Sequence, residues 1–406
     1  MRRLTRLAGA SLWALVGAIV GAVVVLGVDG LTRPAGPVAK VPGPSGAALQ
    51  TGPPERRYPR GDSRILLAWS PGGLPVHSEN ELEGLRGVRE ATTVVAGLDW
   101  LSRSRAPDGT LIDAPRKGYS IPLEVAVIEP GEYARFVPAA ERDLVLSLRP
   151  GEILLAETEA RLRGYGAGLV MKLRDRSLRV SAVVSDVATN GYEGLLAGKA
   201  PSSWTRADRF ALVRLARPPA RHAVRARLLK LLGPGGLLRT RRREDTPFLR
   251  YGDAVQSQMV IKENFGEFAA RPRPDGTIAI EPHWLRQNIR AQQMPVLGRV
   301  VCHRSLFPQL RQALREAVAK GFSYVVDTAE FGGCFSPRFI NREPGGRLSH
   351  HAWGIAVDLN VSENAFGTKA DQDARLVNTM ERWGFTWGGR WIVPDGMHFE
   401  WNRWPS

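Results

Sequence analysis

The chain has 406 residues, a formal net charge of +16 at pH 7 and two cysteines. Such a positive charge often indicates a nucleic-acid partner, but the apolar N-terminus predicts an exported protein, which would meet little nucleic acid. The two cysteines, Cys302 and Cys334, lack the Cys-x-x-Cys spacing of a cysteine-based zinc site and so argue against one.

The N-terminus predicts a membrane anchor. Residues 1–6 form a basic segment, and residues 7–28 carry no charge. A helix rises about 1.5 Å per residue, so this stretch is long enough to cross a hydrocarbon core of about 30 Å. Because no clear small-residue cleavage site follows, we predict an uncleaved transmembrane signal anchor, with cleavage as the alternative. The arginines would stay in the cytoplasm, so the chain would be single-pass in the cell membrane with the residues after Asp29 outside.

A linker and a first globular domain are expected after the anchor. Residues 29–63 are rich in proline and glycine and predict a flexible linker. Residues 64–200 predict a small extracytoplasmic α/β or α+β domain of unknown role. Its predicted strands are residues 65–69, 91–97, 123–128 and 178–184. Its predicted helix is residues 78–85. Ser78 and Glu81 match a capping box, and the domain distantly resembles the extracytoplasmic domains of ABC-type permeases.

Residues 201–246 are unusually basic and predict a linker between two domains. The part from residue 217 to residue 243 has no acid and nine cations, which are Arg217, Arg221, Arg225, Arg227, Lys230, Arg239, Arg241, Arg242 and Arg243. Outside the cell, anionic wall polymers or lipid headgroups are the expected partners. The alternative is a solvated basic face without a specific ligand.

The last part of the chain, residues 247–406, predicts a second domain of ordinary size. Apolar residues recur at helical spacing between Leu306 and Val318 and again between Leu376 and Trp383, and a glycine follows each run. The two cysteines lie in this region. In an exported domain such a pair predicts a disulfide, with two separate buried thiols as the alternative.

Two motifs near the C-terminus carry the chemistry. The first runs from Ser349 to Asp358 (SHHAWGIAVD), and the second from Asp395 to Trp401 (DGMHFEW). Strict alternation after Gly354 predicts a strand whose polar face carries Asp358, and a second short strand would place His398 on one face with Glu400. Two histidines and one acid form the ligand set of a catalytic zinc site with an open position. The motifs therefore predict a zinc hydrolase.

The pattern Ser-x-His-x-x-Gly-x-Ala-x-Asp, followed by an acid three residues before a histidine, resembles the LAS-type zinc peptidases. This family includes D-alanyl-D-alanine carboxypeptidases and dipeptidases and phage L-alanyl-D-glutamate endolysins. The resemblance spans about residues 255–406 and implies an α+β domain whose small antiparallel sheet carries both motifs. It also implies roles for six residues: zinc ligands His351, Asp358 and His398, general base Asp395, substrate-lining Ser349 and carbonyl-contacting Arg338.

Several neighbouring residues leave alternatives open. Arg342 and Arg347 are also close enough in sequence to be the substrate arginine. Glu400 is expected to orient His398 or a water from behind the ligands, and His350 is expected at the surface or behind the ligands. Ser349 lacks the Gly-x-Ser-x-Gly environment of a serine nucleophile. The histidines outside the motifs are expected to be structural.

The sequence thus predicts a membrane-anchored extracytoplasmic zinc metallopeptidase that hydrolyses peptidoglycan stem peptides, similar to a D-alanyl-D-alanine carboxypeptidase, with no nucleic-acid partner. One alternative is an L-alanyl-D-glutamate-type endopeptidase. Another is a zinc-containing cell-wall binding module without catalysis. Because a degenerate module tends to lose its base or its arginine, the presence of Asp395 and Arg338 favours an enzyme.

Overall fold

A computed structural model describes residues 58–405 except residues 60, 205, 218, 219 and 255, and all of these lie within one compact unit, Ala48–Ser406. The predicted anchor at residues 7–28 lies outside the described residues, as does most of the predicted linker. Within the described part of the chain, no helix is both long and apolar enough to cross a membrane.

Within these residues, a large mixed sheet of eleven strands dominates the first half of the chain. Its strands are, in chain order, β1 (Ile65–Trp69), β2 (Val88–Leu101), β3 (Arg103–Arg105), β4 (Leu111–Asp113), β5 (Ile121–Ile128), β6 (Glu152–Ala156), β7 (Val170–Lys172), β8 (Ser177–Val184), β9 (Gly194–Ala197), β10 (Asp208–Leu215) and β11 (Arg239–Arg242). Their order across the sheet is β11-β1-β10-β2-β5-β9-β6-β8-β7-β3-β4. The pairs β5–β9 and β6–β8 are parallel, and the other neighbours are antiparallel.

Nine α-helices lie in the described part of the chain: α1 (Ser78–Glu83), α2 (Pro130–Tyr133), α3 (Arg142–Ser147), α4 (Glu157–Arg163), α5 (Arg221–Leu232), α6 (Gln258–Phe265), α7 (Pro282–Asn288), α8 (Phe307–Ala319) and α9 (Ala374–Arg382). The predicted capping box of α1 is wrong. The cap residue is His77, whose side chain makes no capping hydrogen bond, and the Ser78 hydroxyl donates instead to the Pro75 carbonyl at 2.8 Å.

Residues 201–246 differ from the linker expected of them, because they complete the large sheet. Strand β10 lies between β1 and β2, and its side chains from Phe210 to Val213 are buried on both faces. Helix α5 buries Val224 and Leu228, and β11 pairs with β1 at the edge. The many charged residues of this segment predicted an exposed linker. The strand within it has two apolar faces, which is the pattern of a buried central strand.

The C-terminal region contains three small antiparallel sheets. Their strands are β12 (Ala270–Pro272) with β13 (Ile278–Ile280), β14 (Ile289–Met294) with β15 (Gly298–His303), and β16 (Ala356–Asp358), β17 (Phe385–Trp387) and β18 (His398–Trp401). The predicted helical runs correspond to α8 and α9. The apolar core of this region also includes Leu98 and Trp100 from β2, so the large sheet and the C-terminal region share a core.

The predicted disulfide is confirmed. Cys302 on β15 is bonded to Cys334, and their Cα atoms lie 5.4 Å apart. Both residues belong to the C-terminal core. The bond therefore attaches the segment before the first motif to the β14–β15 hairpin.

Candidate metal centre

Two of the three predicted ligands face each other across one pair of strands. In the antiparallel pairing of β16 with β18, Asp358 lies directly opposite His398, and Ala356 lies opposite Glu400. Side chains on directly opposed residues share a face of the sheet. The alternation of polar and apolar residues in both motifs therefore produces one polar face, although β16 is shorter than the alternation suggests because Asn360 has a left-handed φ of 53°.

His351 reaches the same face from a short 3₁₀ turn, His350–Ala352. The Ser349 side chain caps this turn by accepting a hydrogen bond from the His351 amide at 3.3 Å. His351 Nε2 lies 3.2 Å from Asp358 Oδ1 and 3.2 Å from His398 Nδ1, and His398 Nδ1 lies 3.1 Å from Asp358 Oδ1. One ligand atom from each residue thus forms a nearly equilateral triangle.

In each histidine, the ring nitrogen that points away from the triangle has a hydrogen-bond partner. That partner shows whether the other ring nitrogen, which points into the triangle, can offer a lone pair. His351 Nδ1 lies 2.8 Å from the Cys334 carbonyl, which can only accept, so this nitrogen carries the proton. His398 Nε2 lies 3.2 Å from Glu400 Oε2. Neighbouring histidines hold the pKa of Glu400 below its usual range, so that carboxylate also accepts. In the neutral histidines, both inner nitrogens are therefore acceptors.

Three acceptors without a donor between them fit a metal ion. Ligand atoms about 2.0–2.1 Å from a tetrahedral zinc ion lie about 3.3 Å from one another, close to the spacing of this triangle. Burial opposes a charge on His398, but its hydrogen bonds to Asp358 and Glu400 outweigh burial and raise its pKa to about 10. A proton on His398 Nδ1 and a bound cation therefore compete for the same place, and the three acceptors are complete only once that proton has left. The residues fit Zn²⁺, which leaves a fourth position free.

Asp395 lies beside the three ligands without belonging to them. Its Oδ1 atom is buried and makes no hydrogen bond with the described residues. Burial raises the pKa of Asp395, and the nearby charges of His398 and Arg338 oppose that rise. A partly desolvated carboxylate with a free oxygen is well suited to accept a proton. The Gly388 backbone packs closely under this residue, since a Cβ there would lie 2.7 Å from the Asp395 carbonyl oxygen.

The three candidate arginines have different surroundings. Burial lowers the pKa of Arg338, and the charges of Asp358 and Asp395 counteract this effect. Arg342 is exposed and has a left-handed φ of 54°. Arg347 pairs with Asp208 of the large sheet at 3.1 Å. Of the three, Arg338 is the one whose charge interacts with Asp358 and Asp395, so it stays the predicted substrate arginine.

Of the residues around His398, His350 takes one of its two expected positions, behind the ligands, whereas Trp391 was not predicted. His350 is buried, with its Nδ1 atom 2.7 Å from Glu400 Oε2, so the same carboxylate oxygen contacts both histidines. The Trp391 ring lies 5.2 Å from the His398 ring. The pair of adjacent histidines was a signal for His350, but no spacing rule identified Trp391.

The remaining histidines lie away from this centre. His303 is buried, with Nε2 3.0 Å from the Phe265 carbonyl, and burial lowers its pKa to about 4. His77, His222 and His283 are exposed. The structural role expected for histidines outside the motifs fits His303, whereas the other three lie at the surface.

The basic segment is partly neutralised by nearby acids. Arg227 pairs with Glu81, Arg239 and Arg241 both pair with Asp253 at 3.3 Å, and other basic residues of the segment have further partners. The exposed cations are Arg217, Arg221, Arg225 and Lys230. The surface that is available to an anionic polymer is therefore smaller than the count of basic residues suggests.

Comparison with known proteins identifies the region that holds this centre. Residues 343–401 match the family model described as D-alanyl-D-alanine carboxypeptidase. The resemblance of the C-terminal region to LAS-type zinc peptidases is thereby confirmed. The matched stretch includes the three candidate ligands and Asp395 but begins after Arg338. No curated protein matches the chain.

Two solved structures are similar to part of the chain. The periplasmic region of MacB from Actinobacillus actinomycetemcomitans is 11% identical and covers 45% of this chain and 90% of its own, with a TM-score of 0.30. The extracellular domain of the noncanonic ABC-type transporter YknZ from Gram-positive bacteria is 11% identical and covers 39% of this chain and 88% of its own, with a TM-score of 0.26.

Proposed function

We propose that the chain is an extracytoplasmic zinc metallopeptidase that hydrolyses peptidoglycan stem peptides, similar to a D-alanyl-D-alanine carboxypeptidase. The observation that supports this most directly is the triangle of three acceptor atoms, from His351, Asp358 and His398, with the free carboxylate of Asp395 beside it. The family match of the surrounding residues supports the substrate class.

Each residue of the centre would have a separate task. His351, Asp358 and His398 would hold Zn²⁺, which when bound supplies Lewis acidity that polarises a carbonyl and makes water more acidic. Asp395 would accept a proton from the attacking water and return it to the leaving amine. Arg338 would stabilise the negative charge that develops on the substrate carbonyl oxygen. Glu400, through its contact with His398 Nε2, would keep that ring oriented.

Ser349 would contribute mainly by hydrogen bonds to the backbone on either side of it. Its hydroxyl accepts from the His351 amide and its own amide donates to the Arg338 carbonyl at 3.0 Å. Ser349 therefore connects the turn that presents His351 with the residue proposed to bind the substrate carbonyl. A direct contact of its side chain with substrate is part of the same proposal.

The decisive experiment is mass spectrometry of defined muropeptides after incubation with the purified, zinc-loaded full-length chain. Release of the terminal D-alanine is the expected result. Cleavage between L-alanine and D-glutamate would favour the endopeptidase alternative. If every peptide stays intact while the protein still binds peptidoglycan, the binding-module alternative is correct.

The membrane anchor at residues 7–28 belongs to the same proposal, and its support is the length and lack of charge of that stretch. An anchored chain would resist extraction with high salt or alkali and would keep its first residues. A mature N-terminus near residue 30 would contradict the anchor without affecting the proposed chemistry.

A further inference from the structure

The segment from Arg338 to Ser349 is a narrow loop whose two ends lie side by side. Phe339 pairs with Leu348 in an isolated bridge. The Ile340 amide donates to the Arg347 carbonyl at 2.9 Å, and the Ser349 amide donates to the Arg338 carbonyl at 3.0 Å. We call residues 338–349 the arginine loop. Its base presents both Arg338 and the turn that carries His351 to the metal centre.

The residues of the arginine loop do not by themselves favour a single backbone conformation. Gly345 and Gly346 lie at its tip, and Asn341 and Arg342 both have a left-handed φ of 54°. Consecutive left-handed residues other than glycine are unfavourable and persist only where surrounding structure holds them. Something outside the loop must therefore keep its base in place.

The large sheet holds the loop at Arg347. The guanidinium Nε lies 3.1 Å from Asp208 Oδ2 on β10, and Nη1 donates to the Tyr251 carbonyl at 3.4 Å. The guanidinium carbon also lies 5.2 Å from the centre of the Tyr251 ring. Arg347 thus combines an ion pair, a hydrogen bond and a cation–π contact at one place, and its side chain is 21% exposed.

The surroundings of Arg347 are shaped to receive it. A Cβ on Gly252 would lie 2.7 Å from Arg347 Nη1, and Gly252 has a left-handed φ of 92°, so glycine leaves the necessary space. Tyr251 is itself attached to β1, because its ring lies 4.8 Å from the Trp69 ring and its hydroxyl donates to the Ser70 carbonyl at 3.0 Å. The contact therefore connects the loop to β1 and β10, near one edge of the large sheet.

We propose that Arg347 is a positioning residue, through which the large sheet holds Arg338 and Ser349 in register with the metal centre. This inference rests on the proposed function for its effect on turnover but not for its effect on the loop. It gives the large sheet a role in the peptidase site, since Asp208 of β10 contacts Arg347 directly and Tyr251, which packs on Trp69 of β1, supplies the other contacts. A second contact from the sheet, Trp100 of β2 against Phe339 at 6.4 Å, supports the other side of the same loop.

The test compares wild type with Arg347→Met by amide hydrogen exchange, zinc content and kinetics. Exchange within residues 338–349 should become faster by about tenfold while the rest of the C-terminal region is unchanged. Zinc content should stay at one ion per chain, and kcat should fall by about 10- to 100-fold because Arg338 is misplaced. Asp208→Asn removes the ion pair from the other side and should give a smaller change in the same direction.

Arg206→Gln is the matched control. Arg206 also pairs with the arginine loop, at Glu343 over 3.5 Å, but both side chains are largely exposed, so the pair should contribute little. The positioning role is wrong if the loop of folded Arg347→Met exchanges at the rate seen in Arg206→Gln. Should Arg347→Met not fold, Asp208→Asn takes its place in this comparison. Absence of peptide cleavage by wild type would contradict the proposed function alone, since the exchange experiment does not need turnover.

Discussion

The metal centre and the arginine loop are adjacent, but they depend on contacts with different parts of the chain. Asp358 and His398 are placed by one strand pairing, and His351 by a turn that begins eight residues before Asp358. The arginine loop is held at its base by the Gly276 carbonyl, which accepts from the Phe339 amide at 3.0 Å, and at Arg347 by Asp208 and Tyr251. A centre whose three residues contact one another directly should keep its metal when the contacts of Arg347 are lost, whereas the loop should become more mobile.

The largest expected effect is loss of the metal. His351→Ala or His398→Ala removes one of three protein ligands, so the purified variants should contain far less than one zinc ion per chain by elemental analysis. His283→Ala, at an exposed histidine, is the matched control and should retain it. Equal zinc in wild type and both ligand variants would show that the ion binds elsewhere.

A large effect on turnover without loss of metal is expected at Asp395. Asp395→Asn keeps the size of the side chain but removes its basicity, so turnover should fall by about 10²- to 10⁴-fold. Zinc content should remain that of wild type, because this residue is not a ligand. A variant that cleaves at the wild-type rate would move the role of base to Glu400.

Arg338→Ala should lower turnover by about 10²- to 10³-fold, the range found when one donor to a developing oxyanion is removed. Zinc content should be unchanged. The comparison with Arg342→Ala, at an exposed position on the same loop, distinguishes Arg338 from its neighbour. If Arg342→Ala has the larger effect, the substrate arginine has been assigned to the wrong residue.

The smallest of these effects is expected at Glu400. Glu400→Gln keeps a hydrogen-bond acceptor near His398 but removes the charge, so zinc affinity should fall by about 10- to 100-fold. Competition with a chelator measures this directly. An unchanged affinity would mean that Glu400 serves packing with His350 rather than orientation of the ligand.

Some features followed from local sequence alone. Period-two alternation predicted that Asp358 would share a face with His398, and the two cysteines predicted a disulfide, because export and pairing leave few other uses for them. The capping box of α1 failed because the Ser78 hydroxyl found a nearer acceptor at Pro75. Residues 201–246 were expected to form a linker but contain β10. Charged residues around this strand are typical of an exposed linker, whereas the centre of the strand is apolar on both faces.

By itself the sequence predicted the group His351, Asp358 and His398, which the structure brings together as a possible metal site, because residue types at motif spacing define a ligand set. Only the tertiary structure showed that Arg347 contacts Asp208 and Tyr251, whereas the charge of Arg338 interacts with Asp358 and Asp395. Arg338, Arg342 and Arg347 lie within ten residues of each other and are chemically identical. Their roles differ because Asp208 and Tyr251, distant in sequence, meet Arg347 after the large sheet has folded, and no local pattern encodes that contact.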